Sequence, residues 1–328
     1  MSAAAIEVRA LRKSFTGPRP LREVLRAPFR RRRVQAIDGL DLACAFGEMM
    51  ALVGPNGAGK TTLLKILCTL VAADQGSVQI AGIDAARDSL ATRRAVGLVT
   101  ADERSFYWRL SGRQNLEFFA ALHGLDGARA GARIDELLAR VALADAAGSP
   151  FREYSTGMRQ KLALCRGMLH RPRVLLLDEP TRGIDLATLR VLRELLREHV
   201  TAGGAALLAS HDLAEIEALD CRVALLARGR VTAQGTIAEL KRDLKVAERV
   251  ELLLEGGAGA AAAWAAKLGG DPRVARATVE GELLVLTLAP SAAIGDVVAR
   301  VHADGGRVLR ARPHGAALEA VLDAETAK

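Results

Sequence analysis

The sequence predicts an α/β protein with a largely parallel sheet, followed by a small α+β domain. Three short apolar runs, at residues 48–53, 173–177 and 205–209, are each followed by a polar turn and a helical pattern. Parallel strands that are buried on both faces have this nearly continuous apolar composition. The chain has 328 residues, which is enough for two domains.

The composition excludes several classes of protein. Half of the residues are apolar and 26% are charged, which excludes collagen-like and disordered chains. The longest apolar runs fall well short of the roughly 18 residues that a membrane helix needs. The first 15 residues contain Glu7 and no apolar core of a signal peptide, so we expect the protein to stay in the cytoplasm. The four cysteines are far apart and predict reduced, buried side chains.

Helical patterns predict an insert within the α/β core, at about residues 88–170. Residues 114–123 and 134–141 both have apolar side chains at i, i+3 and i+4 spacing, which is typical of amphipathic helices. We expect the whole first domain to span residues 1–240.

The pattern changes after residue 240 and predicts a second domain at 241–328. We expect strands at 250–254, 273–279, 282–288 and 307–312, and helices at 258–268, 291–304 and 315–323. Ser291 is the expected N-cap of the second helix, and Gly305 and Gly306 are expected to end it. The order βαββαβ of the first six elements is typical of a ferredoxin-like fold.

A glycine-rich loop directly after the first apolar run gives the strongest functional pattern. It matches G-x-x-x-x-G-K-[ST] and precedes a helical pattern at 62–70. Backbone N–H groups of such a loop, together with the helix N-terminus, form a positive cup for phosphates. Lys60 is expected to reach the terminal phosphates, and the Thr61 hydroxyl is expected to bind Mg²⁺. The loop residues are Gly54, Pro55, Asn56, Gly57, Ala58, Gly59, Lys60, Thr61 and Thr62.

Polar residues follow the other two apolar runs. Asp178 and Glu179 follow the run at 173–177, and His211 follows the run at 205–209. Ligands of open α/β sheets bind at the carboxyl ends of the strands. One carboxylate can therefore orient Mg²⁺ through water, the other can polarise an attacking water, and His211 can contact the terminal phosphate. The alternatives are a solvated acidic strand end and a structural histidine.

A further motif, Tyr154-Ser155-Thr156-Gly157-Met158, lies about twenty residues before the carboxylates. Taken alone, it predicts an ordinary N-cap serine before a helix at 158–169. The chain resembles the ATP-binding subunits of ABC transporters in the order and spacing of its motifs. These motifs are the glycine-rich loop, the motif at 154–158, the two carboxylates, residues 181–185 and His211. The resemblance covers roughly the first 240 residues. It implies an ABC-type P-loop NTPase core with a helical subdomain, and ATP and Mg²⁺ as cofactors.

The resemblance also implies roles for individual residues. Ser155 and Gly157 match the family's signature, which caps the γ-phosphate of ATP held by the other subunit. Asp178 is expected to support the metal and Glu179 to act as the general base. Asp185 belongs to the loop that couples two ATP sites, and His211 is the switch residue. Phe15 is the candidate aromatic that stacks on adenine, and an ordinary core phenylalanine is the alternative.

Two departures from the family pattern affect these expectations. The family has a glutamine after the strand near residues 96–99, where this chain has Thr100-Ala101-Asp102-Glu103. We take Asp102 or Glu103 as a hypothetical substitute for that glutamine. The signature has Thr156 and Met158 where the family usually has glycine and glutamine.

The resemblance predicts the ATPase of an exporter that works with a separately encoded membrane permease, on the cytoplasmic face of the membrane. A homodimer is the default, and a heterodimer with a paralogue is the alternative. A second hypothesis is a soluble ABC ATPase acting on nucleic acid or the ribosome. Since only 3% of residues are aromatic, we expect no nucleic-acid partner. A P-loop kinase or GTPase would leave Ser155, Gly157 and His211 without a role.

The net charge of +8 is concentrated in an insert at residues 16–35, which includes Arg30, Arg31, Arg32 and Arg33. This insert is either a solvated basic loop or a contact with anionic lipid or a lipid-linked substrate. It resembles inserts of polysaccharide-exporting ABC ATPases, whereas residues 317–322 resemble the tails of drug- and ion-exporting ones. The expected cargo is therefore a drug, a lipid or a polysaccharide.

Overall fold

A computed structural model describes residues 4–16, 33–100, 105–125, 127–181, 184–210, 213–244, 248–289 and 292–313. The chain divides into two units, residues 1–234 and 235–328. The division lies slightly before the boundary at residue 240 that the sequence predicts. Among the described residues, no helix is both long and apolar enough to cross a membrane.

A six-stranded sheet forms the centre of the first unit. Its strand order is β10-β9-β3-β8-β7-β6, and β9, β3, β8, β7 and β6 pair in parallel. Three of these strands are the predicted apolar runs, and β3 and β8 are buried along their whole length. The strands are β3 (Met49–Val53), β6 (Val96–Thr100), β7 (Val174–Asp178), β8 (Ala205–Ala209), β9 (Arg222–Ala227) and β10 (Arg230–Gly235).

A second sheet, antiparallel and in the order β2-β1-β4-β5, was not predicted from the sequence. Its strands are β1 (Ala4–Thr16), β2 (Arg33–Ala45), β4 (Gln75–Ile80) and β5 (Ile83–Asp84). Register shifts interrupt the pairing of β1 with β2 and with β4. Since each bulge changes the face on which the following side chains lie, no simple alternation of apolar and polar residues marks these strands.

Seven helices are described in the first unit. The first, α1, shares one buried cluster with residues of both sheets, through Leu63, Leu64 and Leu67. It ends at Leu67, before the Leu70 that the sequence predicts, and Thr69 has a left-handed φ of 60°. The helices are α1 (Lys60–Leu67), α2 (Ser89–Ala95), α3 (Gly112–Leu122), α4 (Gly127–Arg140), α5 (Thr156–Met168), α6 (Leu186–Thr201) and α7 (Leu213–Leu219).

The predicted helical insert contains α2 to α5 and, between α2 and α3, strand β6. Its three longer helices, α3, α4 and α5, pack on one another. A short 3₁₀ helix at Phe151–Glu153 precedes α5, and Phe151 is fully buried against Phe106 at 4.7 Å between ring centroids. This apolar packing fixes the helical part of the first unit.

The second unit contains an antiparallel sheet in the order β12-β13-β11-β14. Two interleaved βαβ units give this order, and helices α9 and α10 pack on one face of the sheet. The second of these helices begins at Ile294, later than the predicted Ser291, which lies outside the described residues together with 314–328. The elements are α8 (Ile237–Asp243), β11 (Arg249–Leu254), α9 (Gly257–Leu268), β12 (Val274–Glu280), β13 (Leu283–Leu288), α10 (Ile294–Ala303) and β14 (Val308–Pro313).

Candidate active site

The glycine-rich loop and the two carboxylates meet where four parallel strands end. In the strand register, Ala209 of β8 lies level with Leu52 of β3 and with Asp178 of β7, and Asp178 lies level with Thr100 of β6. The loop after β3 and the carboxylates at the end of β7 therefore lie at the same edge of the sheet. This is the edge at which open α/β sheets bind their ligands.

The glycine-rich loop turns directly into helix α1. Gly59 is the N-cap of that helix, and its φ of 111° is a conformation that side chains with a Cβ rarely adopt. A Cβ at this position would also lie 2.5 Å from the Ala36 carbonyl oxygen of β2. The loop leaves the first N–H groups of α1 available for an anion, because no side chain caps the helix.

The Lys60 side chain lies across this loop. Its Nζ donates hydrogen bonds to the carbonyl oxygens of Gly54 at 2.5 Å and Pro55 at 3.3 Å. Burial lowers the pKa of the ammonium group, and the neighbouring Glu179 and Asp178 carboxylates oppose that shift. The lysine is buried, and its hydrogen bonds to the described part of the chain go to neutral carbonyls, so the ammonium group has a strong electrostatic preference for an added anion.

Thr61 and Asp178 provide two oxygen donors beside the lysine. The Thr61 hydroxyl donates to Asp178 Oδ1 at 3.2 Å. Burial raises the pKa of Asp178, the hydrogen bond from Thr61 lowers it, and the Glu179 charge raises it further. A hydroxyl and a carboxylate are hard oxygen donors of the kind that Mg²⁺ binds.

The structure adds Lys65, which the sequence analysis did not single out. Lys65 lies on α1, one turn after Thr61, and its charge acts on Asp178. The i, i+4 spacing from Thr61 is the sequence signal that places both side chains on one face of the helix. The Asp178 carboxylate therefore lies near two lysines as well as one acid.

Glu179 has an unusual backbone conformation. Its φ of 52° is left-handed, and its N–H donates to the Ala209 carbonyl oxygen at 2.8 Å. A left-handed non-glycine residue is uncommon, and such strain is concentrated at functional sites. The hydrogen bond to β8 holds the glutamate at the sheet edge, beside Asp178.

We expect replacement of Asp178 by asparagine to stabilise the ligand-free protein. The folded-state pKa of Asp178 is raised above that of the unfolded chain, so its ionised form opposes folding at neutral pH. Thermal unfolding at pH 7.5 should give Asp178→Asn a higher Tm than the parent chain. The difference in Tm between the two chains should disappear as the pH falls below about 4, where Asp178 is protonated in the unfolded chain as well.

Asp185 provides a control of opposite sign. Hydrogen bonds from Thr188 lower its pKa, so its ionised form favours folding. Asp185→Asn should therefore lower the Tm at pH 7.5. A Tm that falls equally in both variants would contradict the assigned electrostatics of Asp178.

Ser155 and Asp185 both cap helices in this chain. Ser155 Oγ accepts from the Met158 N–H at 3.2 Å at the start of α5, and Asp185 Oδ1 accepts from the Thr188 N–H at 2.7 Å at the start of α6. Ser155 is exposed and Gly157 is half-buried. Within the described residues, no hydrogen bond joins Ser155 to the glycine-rich loop, so one chain does not bring the two motifs together by direct bonding.

Phe15 is not an ordinary core phenylalanine, because 41% of it is exposed. It pairs with Val34 in the register of β1 and β2, two residues before the Ala36 that touches Gly59. Lys13 Nζ lies 5.4 Å from its ring centroid. An exposed ring at this place, close to the glycine-rich loop, is available for stacking on a base.

Several predicted residues lie outside the described part of the chain. They are His211, the proposed glutamine substitutes Asp102 and Glu103, and most of the basic insert. Ser210, which precedes His211, is described and buried, and its N–H donates to the Leu52 carbonyl oxygen at 3.3 Å.

A cavity of about 830 Å³ opens beside the carboxylates. Thr61, Asp178 and Glu179 are among the residues that line it. Arg166 also lines it, as do the stacked rings of His123 and His170, whose centroids are 3.8 Å apart. The cavity is large enough for a small organic ligand.

Comparison with known proteins identifies the family. The sequence family described as "ABC transporter" matches residues 37–182. A daunorubicin resistance ATP-binding protein of Streptomyces coeruleorubidus is 42% identical over 231 residues, which cover 70% of this chain and 72% of that protein. An ABC transporter ATP-binding protein of Bacillus subtilis is 31% identical over 207 residues, which cover 63% of this chain and 84% of that protein.

The fold comparison agrees with the sequence comparison. A solved ATP-binding subunit of an ABC transporter has a TM-score of 0.62 at 28% identity, and the match covers 74% of this chain and 93% of that one. A dimeric ATP-binding cassette with bound ADP and Pi shares the fold, with a TM-score of 0.59 at 21% identity over 70% of this chain and 98% of that one. The resemblance found in the sequence motifs is confirmed. The chain belongs to the ABC transporter family and is an ATP-binding, ATP-hydrolysing subunit.

Proposed function

We propose that this chain powers the export of a drug-like cargo through a separately encoded permease, as a peripheral protein on the cytoplasmic face of the membrane. The observation that supports it most is the grouping of Lys60, Thr61, Asp178 and Glu179 at one sheet edge, with Thr61 and Asp178 joined at 3.2 Å. This grouping has the cation, the metal donors and the base that phosphoryl transfer to water requires.

The residues present fit a magnesium ion. Thr61 and Asp178 would hold it, and Mg²⁺ would neutralise charge that develops on the phosphates. Lys60 exchanges its bonds to Gly54 and Pro55 for the phosphate oxygens, and its charge stabilises them. The N–H groups at the start of α1 orient the same phosphates.

Glu179 acts as the general base. Its carboxylate accepts a proton from the water that attacks the terminal phosphate, while Lys60 stabilises the charge on the leaving side. The left-handed backbone of Glu179 and its bond to Ala209 fix the start of the side chain at the sheet edge. We expect His211, which directly follows Ser210 in the sequence, to contact the same phosphate.

The site is completed by a second copy. Ser155 and Gly157 at the start of α5 present a helix N-terminus to the γ-phosphate held by the partner. Ser155 is exposed, and within the described residues no hydrogen bond joins it to the glycine-rich loop of its own chain; both observations support this arrangement. Phe15 stacks on the adenine of the nucleotide in its own chain.

The cargo is proposed from the relatives. Two of them are named as daunorubicin and doxorubicin resistance ATP-binding proteins, at 42% and 37% identity. Their names favour a drug over a polysaccharide. The separate permease is part of the same proposal, since the relatives with these names are ATP-binding proteins.

Inverted membrane vesicles that contain the chain and its permease test this function. We expect them to take up doxorubicin when MgATP is added, as measured by quenching of drug fluorescence. Vesicles carrying Lys60→Met provide the matched control and should show no ATP-dependent uptake. Equal uptake in both preparations, or salt-sensitive binding of RNA without membrane association, would contradict the proposal.

A further inference from the structure

Helix α5 connects the exposed Ser155 to the six-stranded sheet of the first unit. Ser155 is its N-cap, and its 13 residues span about 20 Å. The far end of the helix lies against β6, the strand that pairs with β7 and ends level with Asp178. The position of α5 on β6 therefore determines where Ser155 lies relative to the carboxylates of the same chain.

Two glycines let the backbone of α5 touch the backbone of β6. A Cβ on Gly97 of β6 would lie 2.1 Å from the Gly167 carbonyl oxygen. A Cβ on Gly167 of α5 would lie 2.7 Å from Val99 Cγ2, which is about an ångström closer than ordinary carbon–carbon contact. Gly97 cannot carry a side chain unless the helix or the strand moves, and a Cβ on Gly167 requires either the helix or the Val99 side chain to move.

Contacts of three further side chains fix the same end of α5. The Arg166 guanidinium contacts Ser105 Oγ and lies over Phe106 and Phe119, at 4.8 and 5.3 Å from the ring centroids. Arg133 of α4 donates to the Met168 carbonyl oxygen at 2.8 Å. His170 Nε2 donates to the Val96 carbonyl oxygen at 2.9 Å. This end is held by backbone contact, by cation–π contact and by hydrogen bonds.

The N-terminal end of α5 presents the exposed Ser155 and Thr156. One turn further along, the Arg159 guanidinium lies over Trp108 and Phe151, at 4.9 and 5.5 Å from the ring centroids, and donates to the Arg152 carbonyl oxygen at 3.2 Å. These contacts are made by one side chain, whereas the opposite end of the helix touches the backbone of β6. Because a hydrogen-bonded helix moves as a unit, a shift at the β6 end also displaces Ser155.

We propose that Gly167 is a positioning residue for the ATP-bound dimer. It determines the position of Ser155, at the opposite end of α5, relative to the ATP held by the partner. This inference rests on the proposed role of Ser155 in the partner's ATP site. A methyl group at position 167 requires a movement of about an ångström, and since the Val99 side chain is fully buried and β-branched, we expect α5 to move away from β6. Since a misplacement of that size costs as much as 100-fold where groups must be aligned, closure onto ATP weakens while nucleotide binding to one chain is unaffected.

The test uses the full chain carrying Glu179→Gln, so that bound ATP is not consumed. We expect Gly167→Ala in this background to raise the MgATP-dependent dimer dissociation constant by about 10- to 100-fold, measured by sedimentation equilibrium. The affinity of the monomer for MgADP, measured by fluorescence titration, should not change. Adding Ser155→Ala should weaken the Gly167→Ala dimer less than it weakens the parent dimer, because both changes affect the same contact.

Val99→Ala provides a rescue. It removes the methyl group that the new Cβ would meet, so the Gly167→Ala/Val99→Ala chain should dimerise like the Val99→Ala chain. Gly131→Ala on α4 is the matched control, because no atom lies within 4 Å of its added Cβ, and it should leave dimerisation unchanged.

The outcomes separate this inference from the proposed function. Unchanged dimerisation of Gly167→Ala, a parallel loss of MgADP binding, or no rescue by Val99→Ala would overturn the role of Gly167 alone. Failure of the Glu179→Gln parent to dimerise with MgATP would overturn the proposed function, and this inference with it.

Discussion

Replacement of Glu179 by glutamine should reduce ATP hydrolysis by about 10²- to 10⁴-fold, the range that general bases contribute. Glutamine keeps the size and polarity of the side chain but cannot accept the proton of the attacking water. Its backbone can adopt the same conformation and keep the bond to Ala209. We therefore expect phosphate release to fall while ATP binding is retained and the ATP-bound dimer accumulates.

Phosphate release and light scattering of the same sample check this expectation. Glu153→Gln is the matched control: its carboxylate is exposed on the 3₁₀ helix before α5 and should be dispensable for hydrolysis. A Glu179→Gln chain that hydrolyses ATP at a tenth of the parent rate or faster would show that another group removes the proton.

Replacement of Lys60 by methionine should weaken ATP binding by roughly 10- to 200-fold, the equivalent of one or two charge-assisted hydrogen bonds. Methionine preserves most of the apolar stem that is buried beneath the loop, so the fold should persist. What the substitution removes is the positive charge that contacts the phosphates. Calorimetric titration with MgADP and MgATP should show a larger loss for the triphosphate.

Lys241→Met on α8, in the second unit, is a control with the same chemical change outside the first unit. Its affinity for both nucleotides should equal that of the parent chain. Equal affinities in Lys60→Met and the parent would mean that Lys60 stays on its carbonyl partners Gly54 and Pro55 when nucleotide binds.

The two predictions differ in the step that they affect. Lys60→Met should prevent the ATP-bound dimer from forming, whereas Glu179→Gln should prevent it from disassembling. A single variant that lowers hydrolysis cannot separate these steps. The pair does so because both residues lie at one sheet edge but are proposed to act on different atoms of the nucleotide.

The sequence predicts the parts of the site that depend on a short contiguous pattern. The glycine-rich loop, the run before Asp178 and the cap at Ser155 are local features, and each lies in the predicted type of element. The order of β3, β8 and β7 in the sheet cannot be read from local pattern, yet it brings Lys60 to Asp178. The parallel-sheet expectation was therefore necessary to predict that they meet.

Other features depend on contacts between distant residues and were not predicted. The bulged sheet that contains Phe15 lacks the alternation by which strands are recognised. The backbone contact of Gly97 with Gly167 joins residues that are seventy positions apart, and each glycine alone looks like a helix or strand residue of low propensity. The left-handed conformation of Glu179 and its bond to β8 occur together, and the residue type encodes neither.

Complementation between two defective chains tests the composite ATP site most directly. In the Glu179→Gln background, Lys60→Met removes the phosphate contact of one chain and Ser155→Arg blocks the signature of another. Neither variant alone should trap ATP in a dimer. A mixed dimer contains one site in which the intact Lys60 of one chain faces the intact Ser155 of its partner.

The measurement is the amount of ATP retained per dimer after gel filtration of the equimolar mixture. We expect retained ATP in the mixture, approaching one molecule per mixed dimer, and none in either variant alone. If the mixture retains no more ATP than the separate chains, while a parent Glu179→Gln dimer retains two, then Lys60 and Ser155 do not act on the same nucleotide across the two copies.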